Sequence, residues 1–506
     1  MYRVVVVLLL FCSIANAGRP RTRSSDEGGD KCQPERKTYS QEQMQILKSM
    51  QDEWQTNTNS LTLTDKQNAW FATINGGKSR PLPSPSSSYG SPNRSSTIAE
   101  MRMPEVWPTG VRKEYRQLSA VERDRFHRAL QAMKRTYPDP LDRTTSEYDI
   151  FVKKQRWMEA PAAHFGAAFL PWHREFLWRF ETALQAHDPM VSLPYWDSTL
   201  DQTLPNPADS AIWTASYLGN NDGTVRSGPF AFWGVIPSCQ NICGTLKRNT
   251  LVGNCCPWPR GPRVPTGAVP RAASALKTQS YFEAQYPKTN YATMCPPQTP
   301  CDYLFSDADI AHVLLKNKYS SIVANSDAKF ENDHDLVHAF VGGHMRSIDC
   351  APSDPVYWLT AAFVDCVWEK FRQESQTPQD KRQTEYPRLH IGGSRHQAHA
   401  PMRPFWPLHN VHGLSDHYTN YYYECAPRPI RCIDDRQCES DLLWCDRAVG
   451  RCRAKVRQDG ICTGLPDAAC AGPCEWGLTP RCLARAEING QRCVCAYPNT
   501  RRPVFK

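Results

Sequence analysis

The sequence predicts a mainly α fold with long disulfide-pinned loops and a small cysteine-rich module at the C-terminal end. Three observations carry this expectation. Apolar residues recur at helical spacing from Val111 to Tyr137, from His173 to Leu184 and from Pro355 to Phe371. His334 and His338 stand four apart ahead of Gly342-Gly343, so both imidazoles share one helix face with a glycine C-cap behind them. Eleven of the 21 cysteines fall between Cys425 and Cys495, a density that substitutes cross-links for an apolar core.

Taken in order, the chain of 506 residues is long enough for two or more domains. Residues 1–17 have a basic residue, the apolar run Val4 to Cys12 and an Ala15-x-Ala17 end, which reads as a secretory signal. With Cys12 inside it, 20 cysteines remain, an even number suited to disulfides in an exported protein. No later stretch reaches the ~20 apolar residues of a membrane helix. Residues 18–105 form an N-terminal segment with two helical patches and a Pro/Ser-rich linker, Pro81 to Ser96, too polar to bury a core. Asn93-Arg94-Ser95 is a candidate glycan site.

From Val111, Leu118, Val121, Phe126, Leu130 and Met133 lie near helical spacing, and Ser119 with Glu122 makes a capping box. His127 reads as an edge histidine. Phe165 to Leu170 is short and apolar, Pro171 restarts the chain, and His173 opens a helical run. Phe169, Trp172, Phe176 and Trp178 on this run are expected to pack, and Arg174 and Glu181 to form structural ion pairs. Residues 201–302 carry six cysteines among prolines and glycines, which predicts irregular structure pinned by disulfides. Asp354 is expected to cap the Pro355 helix. Six histidines between His390 and His417 are irregularly spaced among prolines and read as exposed loop residues. The formal charge of +9 is scattered, with no basic stripe, so nucleic acid is not an expected partner.

The texts AHFGAAFLPWHREFLWRFE and FENDHDLVHAFVGGHM, the latter followed by SDPVYWL, resemble the two copper motifs of the tyrosinase family, which includes catechol oxidases and molluscan haemocyanin units. LPYWDSTLDQTLPNPADSAIW and the Tyr421 region are similar to the same family's flanking segments. The resemblance covers roughly Val106 to Cys425. It implies that residues 106–425 are a tyrosinase-like copper-binding domain, followed by the 426–506 cysteine-rich module. It also implies a four-helix bundle with two coppers, each held by three histidines, that use dioxygen to oxidise a phenol or catechol to a quinone. The signal, disulfides and cysteine-rich tail resemble secreted mollusc shell-matrix members.

Carried over residue by residue, the resemblance assigns His164 and His173 to the first copper and His334 and His338 to the second. The first site's remaining histidine falls at or near Gln155, and the second's at Thr360. A glutamine amide or threonine hydroxyl is a harder, weaker donor to Cu(I) than imidazole. Three readings follow: a phenol or catechol oxidase whose missing ligands come from elsewhere (His127, His344 or the His390–His417 tract), a weak or inactive scaffold of an extracellular matrix such as shell, or a protein that binds one or two metal ions without phenol oxidation. Asp335, beside His334, is a candidate for taking a phenol's proton once copper is bound. The implied partners are phenolic or catecholic small molecules, protein tyrosines, or matrix components, and the implied location is extracellular.

Overall fold

The computed structural model describes residues 39–56, 62–74, 110–221, 223–240, 270–271, 304–323, 329–378, 381–387, 393–471, 481–487 and 490–496. The signal, the Pro/Ser-rich linker, Asn93 and most of the 201–302 cysteines lie outside them.

The eight longer helices among the described residues carry the fold: α1 Gln41–Thr56, α2 Asp65–Thr73, α3 Ala120–Arg135, α4 Glu147–Gln155, α5 Phe169–His187, α6 Asp307–Leu314, α7 Lys329–Val341 and α8 Val356–Glu374. Their ends follow local chemistry. Ser119 and Glu122 close the predicted capping box on α3, with Ser119 Oγ accepting the Glu122 N–H at 3.2 Å and Glu122 Oε2 the Ser119 N–H at 2.8 Å. Gly342 and Gly343, at φ 65° and 57°, end α7 in the left-handed region that glycine enters without strain. Asp354 Oδ1 takes the Val356 N–H at 3.1 Å, ahead of α8.

Two expectations need correction. The apolar run before Pro171 is not a separate piece: α5 begins at Phe169, and Pro171 sits in its first turn, where a missing N–H leaves no bond unmade. Val121 is 65 % exposed, because α3 begins at Ala120 and its buried face starts only at Phe126.

Helices α4, α5, α7 and α8 form the bundle, with α3 against α4 and α5. Phe169, Trp172 and Phe176 are buried as expected, and Trp358 stacks on Phe180 with ring centroids 3.5 Å apart. A short parallel pair, β1 Gly110–Arg112 with β2 Tyr423–Cys425, joins the two ends of the region, and Cys366–Cys425 ties β2 to α8. Cys239–Cys350 pins the loop after Trp233 to the segment between α7 and α8.

Toward the C-terminal end the cysteines pair locally: Cys432–Cys445, Cys438–Cys452, Cys462–Cys482 and Cys470–Cys495, around the hairpin of β3 Leu443–Asp446 and β4 Arg451–Ala454. These cysteines share an apolar cluster with Leu200 and Leu204, and Arg457 pairs with Asp209 at 2.7 Å. Among the described residues no helix is long and apolar enough to cross a membrane.

Candidate metal centre

Three stretches deliver the histidines to one place. His164 sits in the turn after α4. His173 is on the second turn of α5, and α7 supplies His334 and His338. Ring centroids lie 4.9 Å apart for His164–His173, 6.1 Å for His164–His334, 6.2 Å for His173–His334 and 4.4 Å for His334–His338. None of the four is more than 3 % exposed. Phe169 packs against three of these rings, and with Leu170, Ala361 and Val364 it lines a small cavity that His173 and His334 face.

Hydrogen bonds fix which nitrogen of each ring is available. His173 Nδ1 is 2.9 Å from the Phe169 carbonyl oxygen and His338 Nδ1 is 2.8 Å from that of Met345. A carbonyl only accepts, so both rings carry their proton on Nδ1 and present a bare Nε2 lone pair. His334 Nδ1 lies 3.0 Å from Asp335 Oδ1. Burial lowers His173, His334 and His338 from 6.5 to about 3, and lowers His164 well below its ordinary value with the neighbouring imidazoles adding to it. All four are therefore neutral at pH 7, the form a metal requires.

The two pairs differ. His334 Nε2 and His338 Nε2 face each other at 3.0 Å. With His338's proton on Nδ1, that gap holds one shared proton or one cation. Burial raises the Asp335 carboxyl to about 7 against the pull of His338, so Asp335 can keep a proton and hand the gap one through His334. The same two nitrogens would hold a metal ion with Asp335 ionised and accepting the His334 Nδ1–H. This pair fits a transition metal. In the other pair, Gln155 Nε2 is 3.1 Å from His164 Nε2. An amide nitrogen only donates, so it occupies the lone pair a metal needs. Gln155 Oε1 and His173 Nε2 meet no hydrogen-bond partner.

Thr360 stands on α8, but its hydroxyl donates to the Val356 carbonyl of its own helix at 3.0 Å. Its neighbour Ala361 lines the cavity and offers no donor atom. His344 is not brought to the cluster: its Nε2 is 2.8 Å from the Cys239 carbonyl oxygen. His127 Nε2 bonds the Tyr115 hydroxyl at 2.9 Å. Within the His390–His417 tract, His396 departs from expectation. It is 2 % exposed and its Nδ1 accepts the Ala168 N–H at 3.3 Å, while its ring lies so close to Gly166 that a Cβ there would sit 2.6 Å away.

The sequence reading misses two contributors. Glu331, one turn before Asp335 on α7, accepts the Phe165 N–H and lies 3.7 Å from His164 Nδ1. Burial and the nearby Asp335 raise its carboxyl well above the usual range. Trp54 of α1 packs edge-on against His164 at 4.9 Å. Glu331 falls on the Asp335 face by helical spacing, a usable signal; Trp54 lies more than a hundred residues from His164 and offers none.

Comparison with known proteins agrees with this arrangement. A family model for the common central domain of tyrosinase matches residues 112–374, more than half of the chain. The tyrosinase-like protein tyr-3 of Caenorhabditis elegans is 33% identical over 388 residues, covering 74% of this chain and 48% of that protein. Tyrosinase-like protein 2 of Margaritifera margaritifera is 30% identical over 322 residues, with 62% and 61% covered. Tyrosinase of Streptomyces antibioticus is 28% identical over 325 residues, with 62% and 99% covered. The chain thus spans between about half and three-fifths of the length of these two animal relatives. Proteins of this family hold two copper ions. With a central-domain match that contains all four clustered histidines and the helices that carry them, the chain belongs to the tyrosinase family.

Proposed function

We propose that this chain is an extracellular copper-binding member of the family whose phenol and catechol oxidation is weak or absent, and that it serves as a tyrosinase-like scaffold in an extracellular matrix. In this reading residues 106–425 are the copper-binding domain and residues 426–506 a disulfide module. The observation that carries it is the contrast between the two imidazole pairs. His334 and His338 aim two lone pairs at one point, whereas the His164 lone pair is taken by Gln155. His334 and His338 would hold one copper, and His164 and His173 a second only where Gln155 gives way, with no third imidazole at Thr360 or Ala361. Copper at such a centre supplies the redox chemistry with dioxygen by which a catechol becomes a quinone. The residues here hold and orient: Met345 and Phe169 carbonyls lock two rings, and Phe169, Leu170 and Val364 exclude water. The paired cysteines and the resemblance to secreted mollusc members support the location and the matrix role.

The test is direct. The purified chain is loaded with copper, dialysed, and assayed for copper per chain and for oxygen uptake with catechol. One retained equivalent and turnover near background are expected. Two retained equivalents with rapid turnover would sink the proposal. One observation favours a second reading, a working oxidase: Asp335 is buried beside His334 with its Oδ2 unpartnered, which supports a role in taking a phenol's proton. If monophenol oxidation is found and Asp335→Ala leaves it unchanged, that role for Asp335 is removed.

A further inference from the structure

Helix α1 lies outside the stretch matched by the family's central domain, yet it touches His164 and the residue after the turn that anchors His338. Its buried residues Ile46, Leu47, Met50 and Trp54 follow helical spacing and form one apolar stripe, while Met44 on another face is 52 % exposed. The stripe ends on Trp54, which is 1 % exposed. Its indole meets His164 edge-on at 4.9 Å and Trp157 at 5.8 Å, and its Nε1 meets no hydrogen-bond partner. Ring packing alone has placed this side chain. One residue earlier, Glu53 Oε1 accepts the Ser347 hydroxyl at 2.6 Å. Ser347 follows the turn whose Met345 carbonyl anchors His338. Arg346, in the same turn, sets its charge beside Glu42 and Glu53. The helix therefore spans from the His164 turn to the C-terminal end of α7.

We propose that α1 is a cover over the histidine centre, wedged in place by Trp54, and that its release sets how fast metal ions and small phenols reach the imidazoles. An isolated helix of 16 residues is marginal in water, so α1 is helical largely because it is docked. The apolar stripe and the Glu53–Ser347 bond are among the contacts that dock α1, and a peripheral helix held by its side chains can open locally without unfolding the bundle. His164, against which Trp54 packs, is buried in the docked state, so release of α1 opens a way to its imidazole. This inference concerns access and does not depend on whether copper is held or turned over.

The experiment uses the full-length chain free of metal. Diethyl pyrocarbonate acylates accessible neutral imidazoles, and peptide mass spectrometry reads the rate at each histidine. Exposed His399 serves as the internal reference. His164 is expected to react far more slowly than His399 in the unaltered chain. Trp54→Ala is expected to speed His164 by about tenfold or more, with His399 unchanged and the circular dichroism of the bundle retained. Ser347→Ala, which removes only the tether to Glu53, is expected to act in the same direction and keeps the test usable if Trp54→Ala fails to fold. His164 reacting as fast as His399 in the unaltered chain overturns the proposal, as does an unchanged His164 rate in a folded variant.

Discussion

Arg174 and His173 are neighbours on α5 and enter opposite kinds of buried surroundings. Arg174 meets Asp365 and Glu369, each at 2.8 Å, and lies over the Trp368 ring. Around it Arg112 pairs with Glu181 and Asp365, and Arg372 with Glu369 and Asp416. Burial pushes the Glu369 carboxyl up, but Arg174 and Arg372 pull it down further, to about 2. Every charge there has an opposite charge within reach. His173 turns into a cluster of four imidazoles and two raised carboxyls, where Nε2 of His173, Nδ1 of His164 and Oδ2 of Asp335 meet no partner. The first cluster is closed in charge, although Nη1 of Arg174 and Nε of Arg372 also meet no hydrogen-bond partner. The second is left open, and an open buried polar cluster is a demand for a ligand.

That difference sets the largest expected effect. Arg174→Ala leaves Asp365 with Arg112 alone and Glu369 with Arg372 alone, and loss of one partner from a buried ion-pair network costs about 3–5 kcal/mol. His338→Gln, made in the metal-free chain, is expected to cost no more than about 1 kcal/mol. Chemical denaturation of both variants checks this. Equal losses would mean that the histidines also belong to the structural frame, and the two clusters would no longer differ in kind.

The order reverses when copper is measured. His338→Gln removes one of the two lone pairs that face each other at 3.0 Å. Copper affinity is expected to fall by more than the ~10–100-fold that loss of a supporting partner costs. Equilibrium dialysis against a copper chelator reads this. Arg174→Ala chains that remain folded should keep their copper.

Much of this was legible in the sequence, for identifiable reasons. A four-residue spacing on a helix is local, so spacing alone puts His334 and His338 on one face. Ser119 with Glu122 and the glycines after Val341 are equally local. The pairing of His164 with His173 needed the resemblance, because a turn and a restarted helix separate them. Gln155 was recognised as a substitution, but that its amide donates to His164 depends on how two side chains rotate. Trp54 was invisible for a different reason: its contact crosses more than a hundred residues, and nothing in the intervening chain encodes it. His396 likewise reads as a loop residue, and is buried only because the loop folds back over Gly166 and Ala168.

A smaller effect in the opposite direction comes from rebuilding the weaker pair. Gln155→His frees the His164 lone pair and adds an imidazole, and Ala361→His adds one from the wall of the cavity. Together they are expected to raise retained copper toward two per chain and to raise catechol oxidation by about tenfold or more. Oxygen uptake with catechol checks this. A double variant that binds two coppers without oxidising catechol would show that restoring the missing imidazoles is not enough for the reaction.

The smallest effect is on acid stability, and its sign follows from the direction of each shift. Burial holds His173, His334 and His338 near 3 in the folded chain, against 6.5 when exposed. Below pH 6.5 the unfolded chain takes up protons that the folded chain refuses, so their contribution is present above 6.5 and is lost as pH falls. Asp335, raised from 3.8 to about 7, acts the other way: its contribution is present at low pH and is lost as pH rises through about 7. The raised Glu331 has the same sign as Asp335. The four imidazoles outnumber these two carboxyls, so the net change between pH 6.5 and 4.5 is a loss. Glu369, lowered from 4.5 to about 2, contributes fully throughout that window and fails only below it. Between pH 6.5 and 4.5 the histidine centre should therefore respond and the Arg174 cluster should not. Replacing His334 and His338 together by glutamine is expected to lower the acid-unfolding midpoint of the metal-free chain by about half a pH unit. An unchanged midpoint would mean that these imidazoles reach solvent and titrate as exposed groups do.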